Sequence, residues 1–259
     1  MAITSLPKNP TPAKTSFSDF AYCFYGELKI GKSTMAANTE SPLFLDTESG
    51  LNAITASRVA IECIEDFRNV YDLLKKGDHS YKTVVIDTID NAYRIAAESI
   101  VKTHNKNNSR NIEHISDIAY SKGWDMVRAK INGIIRTFAQ LPLTLILIGH
   151  SKKEKFKPRN GEETEIHVLN LPSSIRSEVM AMMDMILYFG SSRYFNKEKN
   201  RWVTERLIHC SPSNVFIAGG RLNFGSSPIN MGKSGQEAYD NLTKRFNEVM
   251  KRRKKNVKR

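Results

Sequence analysis

The sequence predicts an α/β protein with a mainly parallel central sheet, helices on both faces and antiparallel strands at one edge. Three observations carry this. Short, nearly continuous apolar runs end on an acid, a glycine or a histidine. Stretches with three- and four-residue apolar spacing lie between those runs. Beyond residue 150 the pattern changes to brief strands separated by polar turn clusters. Continuous apolar runs fit strands covered on both faces, and their alternation with helices calls for right-handed parallel crossovers.

In chain order, the first run is Phe20–Tyr25, ending at Gly26; Leu43–Asp46, Thr83–Asp87 and Leu143–Gly149 follow. Helical periodicity marks Ile64–Lys76, Asn91–Thr103 and Asp117–Gln140, the last with Trp124, Val127, Ile131, Ile135 and Phe138 on one stripe. After a polar loop from Ser151 to Glu165, a short helix is expected near Ser173–Met183. Strands are then expected at Met185–Phe189, Arg201–Cys210 and Val215–Ala218, close enough in sequence to pair antiparallel. A last amphipathic helix, about Gly235–Lys254, aligns Tyr239, Leu242, Phe246 and Val249.

Composition bounds the reading. Hydrophobic residues are 40% and charged residues 25% of 259, which is globular and excludes a disordered or fibrous chain. Apolar runs such as Leu143–Ile148 are far short of the roughly 20 residues a membrane helix needs. The first 18 residues hold Pro7, Pro10 and Pro12 and no apolar core of a signal peptide, so a flexible arm and a cytoplasmic location are expected. Cys23, Cys63 and Cys210 are odd in number and widely spaced, and read as reduced core side chains. The net charge is +12; residues 244–259 hold nine cations against Glu248 alone, so +8 sits there and +4 on the rest. Seven cations in the last nine positions repel one another. The predicted organisation is therefore an arm over 1–18, one domain over 19–250, and a basic tail over 251–259 suited to a polyanion, most often nucleic acid.

The chemistry concentrates in Gly26-Glu27-Leu28-Lys29-Ile30-Gly31-Lys32-Ser33, which satisfies G-x-x-x-x-G-K-[ST] directly after a strand and before a helix-compatible segment. Glycines let such a loop wrap an anion while backbone N–H groups and the next helix's N-terminal end supply positive potential. Lys32 is expected on the β- and γ-phosphates of ATP, Ser33 on Mg²⁺, and Thr34 near the α-phosphate. A second Gly232-Lys233-Ser234 lacks the leading glycine, Ser227 standing in its place, and reads as a helix start. Phosphoryl transfer also needs a metal-holding carboxylate and a group that orients water. Asp87, at a strand end, suits the first role. Glu48 suits the second, with Asp46 competing for it. His150, ending the fourth run, either senses the γ-phosphate or is satisfied by nearby backbone.

With these pieces assembled, the chain resembles RecA-like P-loop ATPases, and among them the phage-encoded single-strand-annealing proteins of the Sak type. The matching residues are Gly26–Ser33, Asp46-Thr47-Glu48-Ser49-Gly50-Leu51, Val84–Asp87, Tyr120–Trp124 and Leu145–His150, within about Phe20–Gly225. The resemblance implies that Glu48 is the catalytic glutamate, Asp87 the metal-associated aspartate, and His150 the residue coupling nucleotide state to the DNA-binding loop after it. That loop would be Ser151–Arg159, where Lys152, Lys153, Lys155, Lys157 and Arg159 surround Phe156, cations for phosphates and a ring for bases. Lys251, Arg252, Arg253, Lys254 and Lys255 would add a second nucleic-acid surface. A cation from the neighbouring subunit would complete the site, Arg221 by position, with Arg206 as the alternative.

The implied activity is a DNA-stimulated ATPase acting on single-stranded DNA as a ring or filament, in annealing or recombination, with a single-strand-binding protein as a further partner. Two other readings stay open: a helicase or helicase-loader motor, and a nucleotide-gated DNA-binding module with little hydrolysis. A small-molecule kinase fits less well, because no arginine-rich lid segment is evident and the basic tail would have no use.

Overall fold

The computed structural model describes residues 6, 8–108, 111–118, 122–157, 161–198 and 200–257, with backbone alone beyond Lys254. Six strands form the parallel body: β1 (Ala21–Gly26), β2 (Pro42–Asp46), β3 (Ser57–Ala60), β4 (Thr83–Asp87), β5 (Thr144–Phe156) and β7 (Met185–Asn196). With β8 (Arg201–His209) and β10 (Ile229–Asn230) the order is β10-β8-β7-β1-β5-β4-β2-β3. The pairs β7–β8 and β8–β10 are antiparallel, as the late turn signals predict. β6 (Thr164–Leu169) pairs with β5, and β9 (Gly219–Gly220) with β7, both antiparallel.

The apolar runs are explained by two cores that share the sheet. Cys23 and Tyr25 of β1, Leu43 and Leu45 of β2, Val84 and Ile86 of β4, and Leu145 and Leu147 of β5 face one side. There they meet Phe67 and Val70 of α2 (Ile64–Lys76), Ala92 and Ile95 of α3 (Ile89–Asn108), Val127 and Ile131 of α4 (Lys122–Ala139), and Ile175 of α5 (Ser173–Met182). The intervening Tyr22, Phe24, Phe44, Val85 and Ile146 face the other side, against Met35 of α1 (Lys32–Ala36) and Leu242, Phe246 and Val249 of α6 (Gly235–Val257). Each such buried side chain contributes roughly 1.5–3 kcal/mol, so both helical layers are held by the same strands.

Several expectations are corrected. The segment from Ser151 is no loop: β5 continues to Phe156 and forms a hairpin with β6, in register from Ser151↔Leu169 to Phe156↔Thr164. Residues 215–218 make a single bridge, His167 to Phe216, rather than a strand. α6 runs through Val257, so residues 251–257 extend a helix instead of forming a separate tail. The anchored face of Leu242, Phe246, Val249 and Met250 seeds that helix, and adding one hydrogen bond per residue outweighs repulsion between exposed cations. The arm ends earlier than predicted. Phe17 stacks on Tyr22 at 4.4 Å and meets Phe246 edge-on at 5.5 Å, and Thr144 donates a hydrogen bond to Ser18 O at 3.0 Å, so the domain's packing begins before residue 19. Cys23 and Cys210 are buried, but Cys63 is exposed at the start of α2. Trp124 is exposed at the start of α4, which begins at Lys122 and not at Asp117.

The β5–β6 hairpin is tied down by Arg176, buried on α5. Its guanidinium donates to both carboxylate oxygens of Glu154, at 3.0 and 2.7 Å, and to the carbonyls of Leu169 and Leu171. These hydrogen bonds hold the Glu154 carboxyl down to about 2. A depressed carboxylate stabilises the fold above its ordinary pKa and loses that effect as pH falls toward the folded value. Glu154→Gln is therefore expected to cost about 1–2 kcal/mol at pH 7, held to the low end because Glu154 is one-third exposed. In thermal unfolding the difference from wild type should narrow as pH is lowered from about 5 toward 2.

Candidate active site

All the residues singled out for phosphate chemistry come from the C-terminal ends of adjacent parallel strands, because register fixes them side by side: Gly26 against His150, Asp46 against Asp87, and Asp87 against Ile148. A ligand in an open parallel sheet belongs at this rim.

The loop from Gly26 to Ser33 is shaped by close approach to β7. Gly26 has φ +150°, and a Cβ there would lie 1.9 Å from the carbonyl oxygen of Phe189, so no other residue passes. Glu27 N–H donates to that same carbonyl at 3.0 Å, and the Glu27 side chain accepts from Ser191 N–H (3.0 Å) and Oγ (2.9 Å). Glu27 thus fastens the loop to β7 rather than facing a ligand. Leu28 is exposed, Lys29 is left-handed at φ +57°, Ile30 is buried in the second core, and Gly31 turns at φ +110° into α1. Lys32, only 5% exposed, donates from Nζ to Glu27 O at 2.7 Å and Gly26 O at 3.4 Å. Burial lowers its pKa to about 8 despite the acids around it. α1 has five residues, so the helix-end potential expected at this loop is small, and the anion-binding capacity rests on loop N–H groups and Lys32.

The acids separate by geometry. Asp46 is buried, and its Oδ1 accepts from Glu48 N–H (3.1 Å) and Gly50 N–H (3.3 Å): it builds the turn that presents Glu48. Glu48 is exposed, and its Oε1 accepts from Thr88 Oγ1 at 2.7 Å. Thr88 also accepts from Asn91 N–H at the start of α3, and its own N–H donates to Thr47 Oγ1 at 2.8 Å, so the β2 and β4 turns are cross-laced. Asp87 is buried and hydrogen-bonded to the Ser33 hydroxyl; burial, with Glu48 and Asp46 nearby, lifts its carboxyl to about 6.

His150 points its Nδ1 at Asp90 Oδ2, 2.8 Å away, and Asp90 Oδ1 accepts the His150 N–H at 3.2 Å. The Asp90 hydrogen bond raises the imidazole pKa against the effect of burial. Burial acts upward on Asp90, but its contacts with His150 bring the carboxyl below the usual range. The His150 ring is satisfied by the Asp90 carboxylate, not by nearby backbone as one of its two readings had it. Glu48, Asp90 and His150 bring ligand atoms within 4.8 Å of one another. Sequence reasoning missed Asp90. Its signal was an acid three residues beyond Asp87, in the first turn of α3, obscured by starting that helix at Asn91.

Lys32, Ser33, Thr34, Glu48, Asp87 and His150 line one cavity of about 560 Å³, within the usual range for small-molecule sites. Other proposed residues lie elsewhere. Arg221 is at the opposite rim, because the Gly219–Gly220 strand pairs with Met185 and Ile186 at the beginning of β7. There Arg221 is ion-paired with Asp184, whose carboxylate also accepts from Ala21 N–H. Arg206, on β8, does reach the loop, donating to Ile30 O at 3.4 Å and Gly232 O at 3.0 Å. On the β5–β6 hairpin Lys152, Lys153 and Lys155 are paired with Glu154, Glu165 and Glu163 at 3.1, 2.8 and 2.9 Å. The cationic surface read from the sequence is therefore largely neutralised, with Phe156 and Lys157 exposed and Arg159 outside the described residues. Lys251, Arg252, Arg253 and Lys254 are exposed on α6; Lys255 is described by its backbone only. Ser234 caps α6, accepting from Glu237 N–H at 3.1 Å while Glu237 accepts from Lys233 N–H at 2.8 Å. The second Gly-Lys-Ser is a helix start.

Comparison with known proteins agrees with this geometry. The family model described as "AAA domain" matches residues 19–222, well over half of the chain. The chain belongs to the AAA domain family. That family is one of P-loop ATPases, which accounts for the loop, the parallel sheet and the acids at its rim. The SPbeta prophage-derived uncharacterized protein YorG of Bacillus subtilis (strain 168) is similar, 24% identical over 202 residues. The match takes in 73% of this chain and 57% of that protein, so the chain spans little more than half of its relative's length. Among the described residues no helix is long and apolar enough to cross a membrane.

Proposed function

We propose that this AAA-family chain hydrolyses ATP with Mg²⁺ and couples that reaction to single-stranded DNA, as an oligomer, in phage annealing or recombination. The observation that carries the reading is the convergence of Lys32, Ser33, Asp87 and Glu48 on one cavity. The residues fit a hydrated metal: the buried Asp87 carboxylate lies beside the Ser33 hydroxyl among further acids, and a dication there would offset the mutual repulsion and the burial. Mg²⁺, when bound, neutralises charge on the phosphates. The loop N–H groups and Lys32 bind and orient the β- and γ-phosphates, Glu48, steadied by Thr88, polarises the attacking water, and the Asp90–His150 pair holds a hydrogen-bonding group at the γ-phosphate end. The prophage origin of a relative supports the phage setting. Arg221 lends no support as a donated cation, being tied to Asp184; Arg206 contacts the loop of its own chain. A single-strand-binding protein is a compatible partner.

ATP hydrolysis measured without DNA, with single strands and with duplex tests this reading. Turnover is expected to rise with single strands most. Preference for duplex with directional unwinding would instead make the chain a helicase-type motor, and ATP-dependent DNA affinity without turnover a gated binding module.

A further inference from the structure

We infer that the tip of the β7–β8 hairpin is a stacking surface for single-stranded nucleic acid; this rests on the nucleic-acid part of the proposed function and locates its contact. Beyond Gly190 the hairpin leaves both cores, and the register pairs Arg193 with Thr204 and Phe195 with Trp202, placing Arg193, Phe195 and Trp202 on one face. Trp202 is 59% exposed and Phe195 44%. Their rings meet edge-to-face at 5.7 Å, and the Arg193 guanidinium lies 5.2 Å from the indole centroid. An aromatic cross-strand pair stabilises a hairpin, but it does not require flanking cations. Among the described residues of the tip, Arg193, Lys197 and Arg201 stand against Glu198 alone, a local charge of +2.

Among the described residues, Arg193, Lys197 and Arg201 form no ion pair, unlike Lys152, Lys153 and Lys155 of the β5–β6 hairpin, which pair with Glu154, Glu165 and Glu163. Unpaired cations around exposed ring faces match a ligand that offers phosphates and planar bases together, which is the composition of a single strand. The same face of β8 carries Arg206 four residues inward from Trp202, about 13 Å along the strand, where it donates to the carbonyl of Ile30, so the tip and the contact with the phosphate loop lie on one strand.

Trp124→Phe leaves Trp202 as the sole indole, and titration of that variant with oligothymidylate is expected to quench its fluorescence. Trp202→Ala combined with Phe195→Ala should weaken oligothymidylate binding by roughly 10-fold or more. Trp202→Phe should recover most of the affinity, and hydrolysis measured without nucleic acid should be unchanged in all these variants. If the wild-type chain binds oligothymidylate and the double variant binds it equally well, the inference falls while the proposed function stands. If the wild-type chain does not bind oligothymidylate at all, both fall. A loss of oligomeric mass in the double variant, with affinity for oligothymidylate unchanged, would make the tip a contact between copies and overturn the inference.

Discussion

Lys32→Ala is expected to reduce ATP hydrolysis by roughly 10²–10³-fold or to background, with nucleotide affinity falling as well. Among the described residues that line the cavity, the one other lysine or arginine is Lys29, which is exposed, while Arg206 is spent on the carbonyls of Ile30 and Gly232. The variant should fold. The Lys32 ammonium is buried with two backbone carbonyls as partners, and its lowered pKa shows that burial costs it more than the nearby acids return. Removing such a group does not remove a support of the fold, so the thermal midpoint of Lys32→Ala should match or exceed that of wild type. Turnover lost at an unchanged midpoint assigns the effect to phosphate contact. Undiminished turnover would show that the cavity is not where ATP reacts.

The central strands were legible because each must be apolar on both faces: β1, β2, β4 and β5 read as unbroken runs since their alternate residues feed two different cores. β3 escaped notice for the opposite reason, its four residues being exposed on the last position of the sheet. The β5–β6 hairpin was misread because it leaves the cores after His150. Beyond that point lysines and glutamates pair across strands, and the apolar residues Val168 and Leu169 that anchor it lie on its far limb.

Among the residues proposed for the site, those read from local pattern lie together on one cavity: Lys32, Ser33 and Thr34 from motif spacing, Glu48 and Asp87 from their strand ends. Asp90 and Arg221 depended on three-dimensional facts instead. Asp90 matters through a partner 60 residues away on β5, and Arg221 is carried to the opposite rim by a two-residue strand with no apolar signature. Glu27 illustrates a subtler limit, since a matched motif position does not say which way the side chain points. Its carboxylate holds Ser191 and so makes the β7–β8 hairpin part of the loop's support.

Glu48→Gln should separate binding from hydrolysis. The amide keeps the shape and can still accept the Thr88 hydroxyl, so nucleotide affinity and stability are expected to stay near wild type. Turnover should fall by roughly 10²–10⁴-fold, the range for loss of a positioned base. Asp46→Asn is the informative companion, because Asp46 is the rival acid two residues away. Its carboxylate supports the Glu48 and Gly50 N–H groups and faces Arg58 at 3.9 Å, so the substitution weakens the turn by about 1–2 kcal/mol and displaces Glu48 indirectly. A thermal midpoint lowered in Asp46→Asn but not in Glu48→Gln, with turnover lower in the latter, fixes the division of labour between the two acids. The reverse pattern, full turnover in Glu48→Gln and none in a stably folded Asp46→Asn, would transfer the water-polarising role to Asp46. Glu48 would then be a surface acid held by Thr88 for the sake of the cross-laced turns alone.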